Sequence, residues 1–146
     1  MHRTTIIAEI GINHNGDLNI AKKMILEAKK SGVDLVKFQK RDIKTLYSKN
    51  YLESERASPW GNTQYDQKNG LEFNEKQYDE INKFCKKNKI EWFASAWDIP
   101  SVKFLKKYKL KYSKVASAMI VNLKLLNEIA KQKKYTFIST GMCGFQ

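Results

Sequence analysis

The sequence predicts an α/β fold: five parallel strands that correspond to the first part of a (β/α)8 TIM barrel, truncated at the C-terminus. Three observations point there. Five short runs rich in β-branched and aromatic residues alternate with four segments of helical period, the pattern of a parallel sheet with right-handed crossovers. No GxGxxG follows any of these runs, so a dinucleotide-binding sheet has no support. The chain has 146 residues against about 250 for a complete barrel, and it ends directly after the fifth run.

The first strand, Ile6–Ile10, is apolar except for Glu9 and runs into the polar turn Asn13-His14-Asn15 between Gly11 and Gly16. Helix one starts near Asp17 or Asn19, carries Ala21, Met24, Ile25 and Ala28 at helical spacing, and stops at Ser31-Gly32. Strand two is Asp34–Gln39. The long polar connection Lys40–Phe73, which includes Ser58-Pro59-Trp60-Gly61-Asn62, leaves its carboxyl end. Connections of this length are functional or disordered, and the position favours a substrate-side flap or a subunit contact. Helix two begins at Asn74 with Gln77 as its capping-box partner, buries Tyr78, Ile81, Phe84 and Cys85, and ends near Asn88. Strand three is Glu91–Ser95. Asp98-Ile99-Pro100 opens helix three with an acidic cap and a first-turn proline, and Val102, Leu105 and Tyr108 form its packed face. Strand four is Tyr112–Ala116. Asn122 caps helix four, with Leu123, Leu126, Ile129 and Ala130 inward, and strand five is Tyr135–Thr140.

Composition narrows the partners. At 42% hydrophobic and 12% aromatic the chain is too apolar for disorder. It shows no signal-peptide pattern and no apolar run that spans a bilayer, so a cytoplasmic location without a membrane partner is expected. Cys85 and Cys143 are isolated from each other and from His, and read as reduced thiols. The net charge of +12 raises the question of nucleic acid. Only Arg3, Arg41 and Arg56 are arginines, however, and lysine pairs such as Lys22-Lys23, Lys29-Lys30, Lys86-Lys87 and Lys106-Lys107 are spread over polar helix faces. No nucleic-acid partner is expected.

Chemistry is expected at the carboxyl ends of the strands, where barrels keep their sites. Side chains alternate across a strand, so Val36 and Phe38 against helices send Lys37 and Gln39 into the barrel. The same logic sends Glu9 inward with Ile7 and Gly11, while Ala8 and Ile10 meet the helices. Lys114 adds an ammonium from strand four, Ser117 follows in its exit turn, and Ser139 ends strand five on the face of Phe137. Two ammonium groups, a carboxylate, an amide and two hydroxyls suit a small dianion carrying a second acid group. The alternative is a structural Glu9–Lys37 or Glu9–Lys114 ion pair, although burying ionised groups to build a core is costly. A lone histidine makes no metal site, so Asn13 and His14 are expected to order the loop near the site, and His2 lies at an unanchored terminus.

Five stretches in order, AEIGINHNGD, VKFQ, FASAWD, YSKVASAM and FISTGM, resemble the motifs of the N-acetylneuraminate (sialic acid) synthase family, including its legionaminate and pseudaminate relatives. The resemblance covers nearly the whole chain. It implies that Lys37, Lys114, Ser117 and Ser139 hold phosphoenolpyruvate, that Gln39 faces an amino sugar, and that Glu9 is the catalytic carboxylate beside the reacting carbons. The implied reaction condenses phosphoenolpyruvate with the aldehyde of an N-acetylated hexosamine resembling N-acetylmannosamine, giving a nonulosonic acid and phosphate. The resemblance also implies a divalent metal, Mn or Mg, whose ligands lie outside this chain, and a homodimer for the full-length form. Ala96 and Met119 depart from residues carried by some members, which touches the identity of the sugar more than the reaction. Residues 1–146 are thus expected to be the N-terminal part of the barrel, inactive alone, with the remaining barrel and a C-terminal antifreeze-like domain absent. Another phosphoenolpyruvate–aldose condensing synthase, of the 3-deoxy-keto-acid type, is the enzymatic rival. A non-catalytic Lys-rich anion- or RNA-binding domain is the other.

Overall fold

A computed structural model describes residues 4–142 and 144. The first half of the chain forms β1 (Ile7–Gly11), α1 (Leu18–Lys30), β2 (Leu35–Lys40), α2 (Ile43–Leu46), α3 (Lys49–Glu53), β3 (Glu55–Ser58), β4 (Gly61–Thr63) and α4 (Gln64–Gly70). The second half forms α5 (Glu75–Lys87), β5 (Glu91–Ala96), α6 (Ile99–Lys106), β6 (Tyr112–Val115), a 3-10 turn at Ser117–Met119, α7 (Leu123–Ala130) and β7 (Tyr135–Ile138). Five strands lie parallel in the order β1-β2-β5-β6-β7, the sequential order of a (β/α) barrel.

The long helices begin where a side chain satisfies their first backbone N–H groups. The Asp17 carboxylate accepts from the Asn19 and Ile20 N–H groups, and Asn74 and Gln77 bond reciprocally at the start of α5. Asp98 caps α6 ahead of Pro100, and Asn122 caps α7. The core lies between these helices and one face of the sheet, where Val36, Phe38, Trp92, Ala94 and Val115 meet Ile25, Ile81, Val102, Leu105 and Leu125. Tyr78 is 1% exposed at its centre. Its ring meets Phe38, Trp92 and Phe104, and its hydroxyl donates to the Gln39 carbonyl at 2.7 Å. Both ends of this side chain are therefore satisfied.

Three expectations change. In α7, Leu123 is 72% exposed and Leu125 takes the inward position with Ile129. Leu123 is the first helical residue, and Leu125 and Ile129, four apart, share the face toward the sheet; Ala130 is exposed as well. The fifth strand ends at Ile138, although the Ser139 N–H still donates to the Val115 carbonyl at 3.1 Å. The connection after β2 is not an irregular loop: it holds α2, α3, the antiparallel β3–β4 hairpin and α4. Thr63 and Asp66 form a capping box at α4, and the Trp60 ring lies so close over Gly70 that a Cβ there would collide with it. Gly16, at φ +70°, leaves no room for a Cβ against the Gly70 carbonyl oxygen, so the first turn and the end of α4 are in tight contact.

The helix-face lysines do more than meet solvent. Lys22 bridges to Glu80 at 2.6 Å, Lys106 to Glu128 at 2.9 Å, and Lys107 to Glu75 and to Asp79, each tie joining two neighbouring helices. Cys85 is buried, and burial pushes its thiol up to about 12, which leaves it unreactive. His2, Arg3 and Cys143 lie outside the described residues. Among the described residues no helix is long and apolar enough to cross a membrane.

Candidate active site

Strand register decides which side chains meet. Glu9 stands opposite Lys37, and Lys37 opposite Phe93. One level further along, Gln39, Ser95, Lys114 and Phe137 stand side by side across β2, β5, β6 and β7. All are on the face turned away from the helices. There the Lys37 ammonium donates to the Glu9 carboxylate at 2.6 Å, Lys114 lies 3.6 Å from the other Glu9 oxygen, and Lys114 donates to the Ser139 hydroxyl at 2.9 Å. Residues from three strands, with Ser139 just past the end of a fourth, thus form one connected group.

The environment is asymmetric. The Lys37 side chain is 7% exposed and that of Glu9 54%. Burial lowers the Lys37 pKa below the ordinary lysine value; the hydrogen bond and charge of Glu9 oppose the shift, and the Lys114 ammonium adds to it. Two ammonium groups face one half-exposed carboxylate, an excess of positive charge directed to the open side of the sheet.

The other expected residues are placed as follows. Gln39 is half-buried beside Ser95. Ser117 heads the 3-10 turn after β6 and makes no hydrogen bond to the Glu9–Lys37–Lys114–Ser139 group. The Asn13 amide donates to the Ile10 carbonyl at 3.0 Å, closing the turn after β1. His14 is 2% exposed, stacked on Phe73 at 3.9 Å, and its Nδ1 accepts the Gly16 N–H at 3.1 Å. Burial lowers its pKa to about 4, against a smaller opposing effect of a backbone hydrogen bond with Gly11. With one nitrogen engaged and its ring stacked in the core, His14 orders the turn. Among the described residues no group of three or more His, Cys, Asp or Glu side chains is placed to hold a metal ion.

Ser95 is a member of the site that the sequence reading does not single out. It is fully buried between Gln39 and Lys114, and its hydroxyl has no hydrogen-bond partner. Its signal is its parity with Phe93 in a strand that is otherwise apolar from Trp92 onward. A cavity of about 330 Å³ lined by Cys85, Ile90, Trp92 and Leu110 lies at the opposite, amino-terminal end of the strands and holds none of these groups.

The fold and the site define an α/β-barrel protein whose carboxyl-end mouth gathers ammonium, carboxylate and hydroxyl groups. The particular family follows from comparison: residues 24–146 match the model of the NeuB family, and the chain belongs to that family. It is 41% identical over 139 residues to the N-acetylneuraminate-9-phosphate synthase of Drosophila melanogaster, covering 94% of this chain and 37% of that protein. It is 38% identical over 144 residues to the N,N'-diacetyllegionaminic acid synthase of Legionella pneumophila, covering 97% of this chain and 40% of that protein. The crystal structure of the N-acetylneuraminic acid (sialic acid) synthetase of Leptospira borgpetersenii, in complex with citrate, matches with a TM-score of 0.83 at 28% identity. That match spans 99% of this chain and 47% of the other. The chain therefore spans about two-fifths of the length of the curated relatives it matches.

Proposed function

We propose that this chain supplies the phosphoenolpyruvate-binding part of a sialic-acid-type synthase. The enzyme condenses phosphoenolpyruvate with the aldehyde of an N-acetylated hexosamine, giving a nonulosonic acid and phosphate. The observation that carries the reading is the single connected group made by Glu9, Lys37, Lys114 and Ser139. Its excess cation fits a ligand with phosphate and carboxylate groups, for which lysines act as point charges and hydroxyls fix orientation. The names of the relatives support a sialic-type product.

In this reading Lys37 and Lys114 hold the anionic groups of phosphoenolpyruvate, with Ser139, Ser117 and the buried Ser95 hydroxyl as donors around them. Gln39 faces the sugar. The methylene carbon of phosphoenolpyruvate forms the new bond to the aldehyde carbon, and the aldehyde oxygen takes a proton. Water adds at the enol carbon and phosphate leaves. Glu9, hydrogen-bonded to Lys37 and half-exposed, moves the proton or stabilises the cation that develops at the enol carbon. A divalent metal, Mn or Mg, would be held by residues outside this chain, and none of these roles runs through it. The chain is then the amino-terminal part of a longer barrel, which acts in the cytoplasm as a homodimer.

The test is phosphate release from phosphoenolpyruvate and N-acetylmannosamine by the intact protein carrying Lys37→Met or Lys114→Met. Methionine keeps the bulk of the stem and removes the ammonium. Each variant should lose roughly tenfold to a hundredfold in kcat/KM for phosphoenolpyruvate. Parent-like turnover by Lys37→Met would overturn the site.

A further inference from the structure

Trp97 follows β5, and its backbone N–H donates to the Lys40 carbonyl at 3.1 Å. The β2–β5 ladder thus runs one residue past the strand, and the pleat sets Trp97 on the face of Phe93 and Ser95, one step further out toward the mouth. Asp98 bears out the alternation. It sits on the opposite face, where its carboxylate accepts from the Asp42 N–H at 2.7 Å and the Ser101 N–H at 2.6 Å.

The Trp97 residue is partly exposed, yet its indole Nε1 is buried and has no hydrogen-bond partner. The indole can only donate, and a buried donor without an acceptor is unfavourable. Trp92, on the other face of the same strand, shows the usual solution: its Nε1 donates to the Asn82 side-chain oxygen at 3.2 Å. Trp97 therefore holds a buried, unmatched neutral donor on a partly exposed ring, one level further out along the strand than the cationic group.

We propose that Trp97 is a specificity-determining residue whose indole N–H donates to an oxygen of the acceptor sugar while its ring covers part of the sugar's C–H surface. A phosphate or carboxylate is better served by the ammonium groups of Lys37 and Lys114, so a neutral donor further out suits a neutral hydroxyl or amide oxygen. The inference rests on the synthase reading above and deepens it on the acceptor side.

The experiment is Trp97→Phe in the intact protein, which keeps an aromatic ring and removes the N–H. The KM for N-acetylmannosamine should rise about three- to tenfold, with kcat and the KM for phosphoenolpyruvate within about twofold of the parent. Titrating N-acetylmannosamine should shift the tryptophan emission of the parent and of Trp60→Phe, and the shift should vanish in Trp97→Phe. An unchanged sugar KM with an unchanged emission shift overturns the proposal. So does an equal rise in both KM values, the mark of a merely structural role. A parent that consumes no phosphoenolpyruvate but shows the Trp97 emission shift would sink the synthase reading and leave the sugar contact standing; neither signal in the parent would overturn both.

Discussion

Two ion clusters lie within five residues of each other on β2 and its exit, and both set two cations against one carboxylate. In the first, Lys37 and Lys114 meet Glu9, whose side chain is 54% exposed. In the second, Lys40 and Arg41 meet Glu72, which is 8% exposed. Glu72 accepts from the Arg41 Nε at 2.6 Å, from the Arg41 backbone N–H at 3.2 Å and from Lys40 at 3.5 Å, and Lys40 also donates to the Phe73 carbonyl at 3.0 Å. The Lys40 ammonium lies over the rings of Tyr78 and Phe104. The cluster around Glu72 is buried on the helix side, with one Arg41 guanidinium nitrogen left without a partner, and it ties the folded connection to β2. The cluster around Glu9 is open on the other face. The same residue types build a brace or a candidate site according to the face of the pleat and the exposure of the carboxylate.

The sharpest way to break this contrast is Glu72→Ala. Removing the carboxylate leaves buried cations uncompensated, which costs about 3–5 kcal/mol, read as a large drop in the urea midpoint. If stability held while phosphoenolpyruvate use collapsed, the two clusters would have their roles reversed.

The brace continues through Phe73 to His14, which gives it a pH signature. His14 stays neutral in the fold down to about pH 4, whereas in the unfolded chain it protonates near 6.5. Between those values the unfolded state binds more protons, so stability falls as the pH falls and is fully present above about 6.5. At about 1.4 kcal/mol per unit, this one group accounts for a loss of roughly 3 kcal/mol by pH 4. His14→Phe keeps a ring against Phe73 and should flatten that slope in chemical-unfolding titrations. An unaltered slope would assign the acid sensitivity elsewhere.

Lys37→Met and Lys114→Met test the open cluster, with the tenfold to hundredfold loss given above, equivalent to about 1.5–3 kcal/mol. The urea midpoint of Lys114→Met should move far less than that of Glu72→Ala, since its partner Glu9 is half-exposed. The smallest effect is expected from changing Lys29 and Lys30 together. Both are exposed on α1, where Lys29 donates to the Asn88 carbonyl and Lys30 pairs with Glu27. Solvated charges are screened, so kcat/KM for phosphoenolpyruvate should stay within about twofold. A larger change would point to a long-range field in place of local contacts.

The sequence by itself determined the elements and their faces. Asp17, Asn74, Asp98 and Asn122 announce helix starts because a cap bonds backbone groups two or three residues away. The alternation in Val36-Lys37-Phe38-Gln39 separates core from interior because successive side chains leave opposite faces of a strand. What only the tertiary structure decided depends on partners far apart in the chain. The 2.6 Å contact between Glu9 and Lys37 joins residues 28 apart and follows from the β1–β2 register, and the pairing of Glu72 with Arg41 follows from how the folded connection closes on β2. Leu125 displaces Leu123 from the core because the rotation of α7 is set by the sheet beneath it. Ser95 gains its place in the site only when Gln39 and Lys114 come to stand on either side of it. Local periodicity fixes the direction of a side chain; strand register and packing fix what it meets.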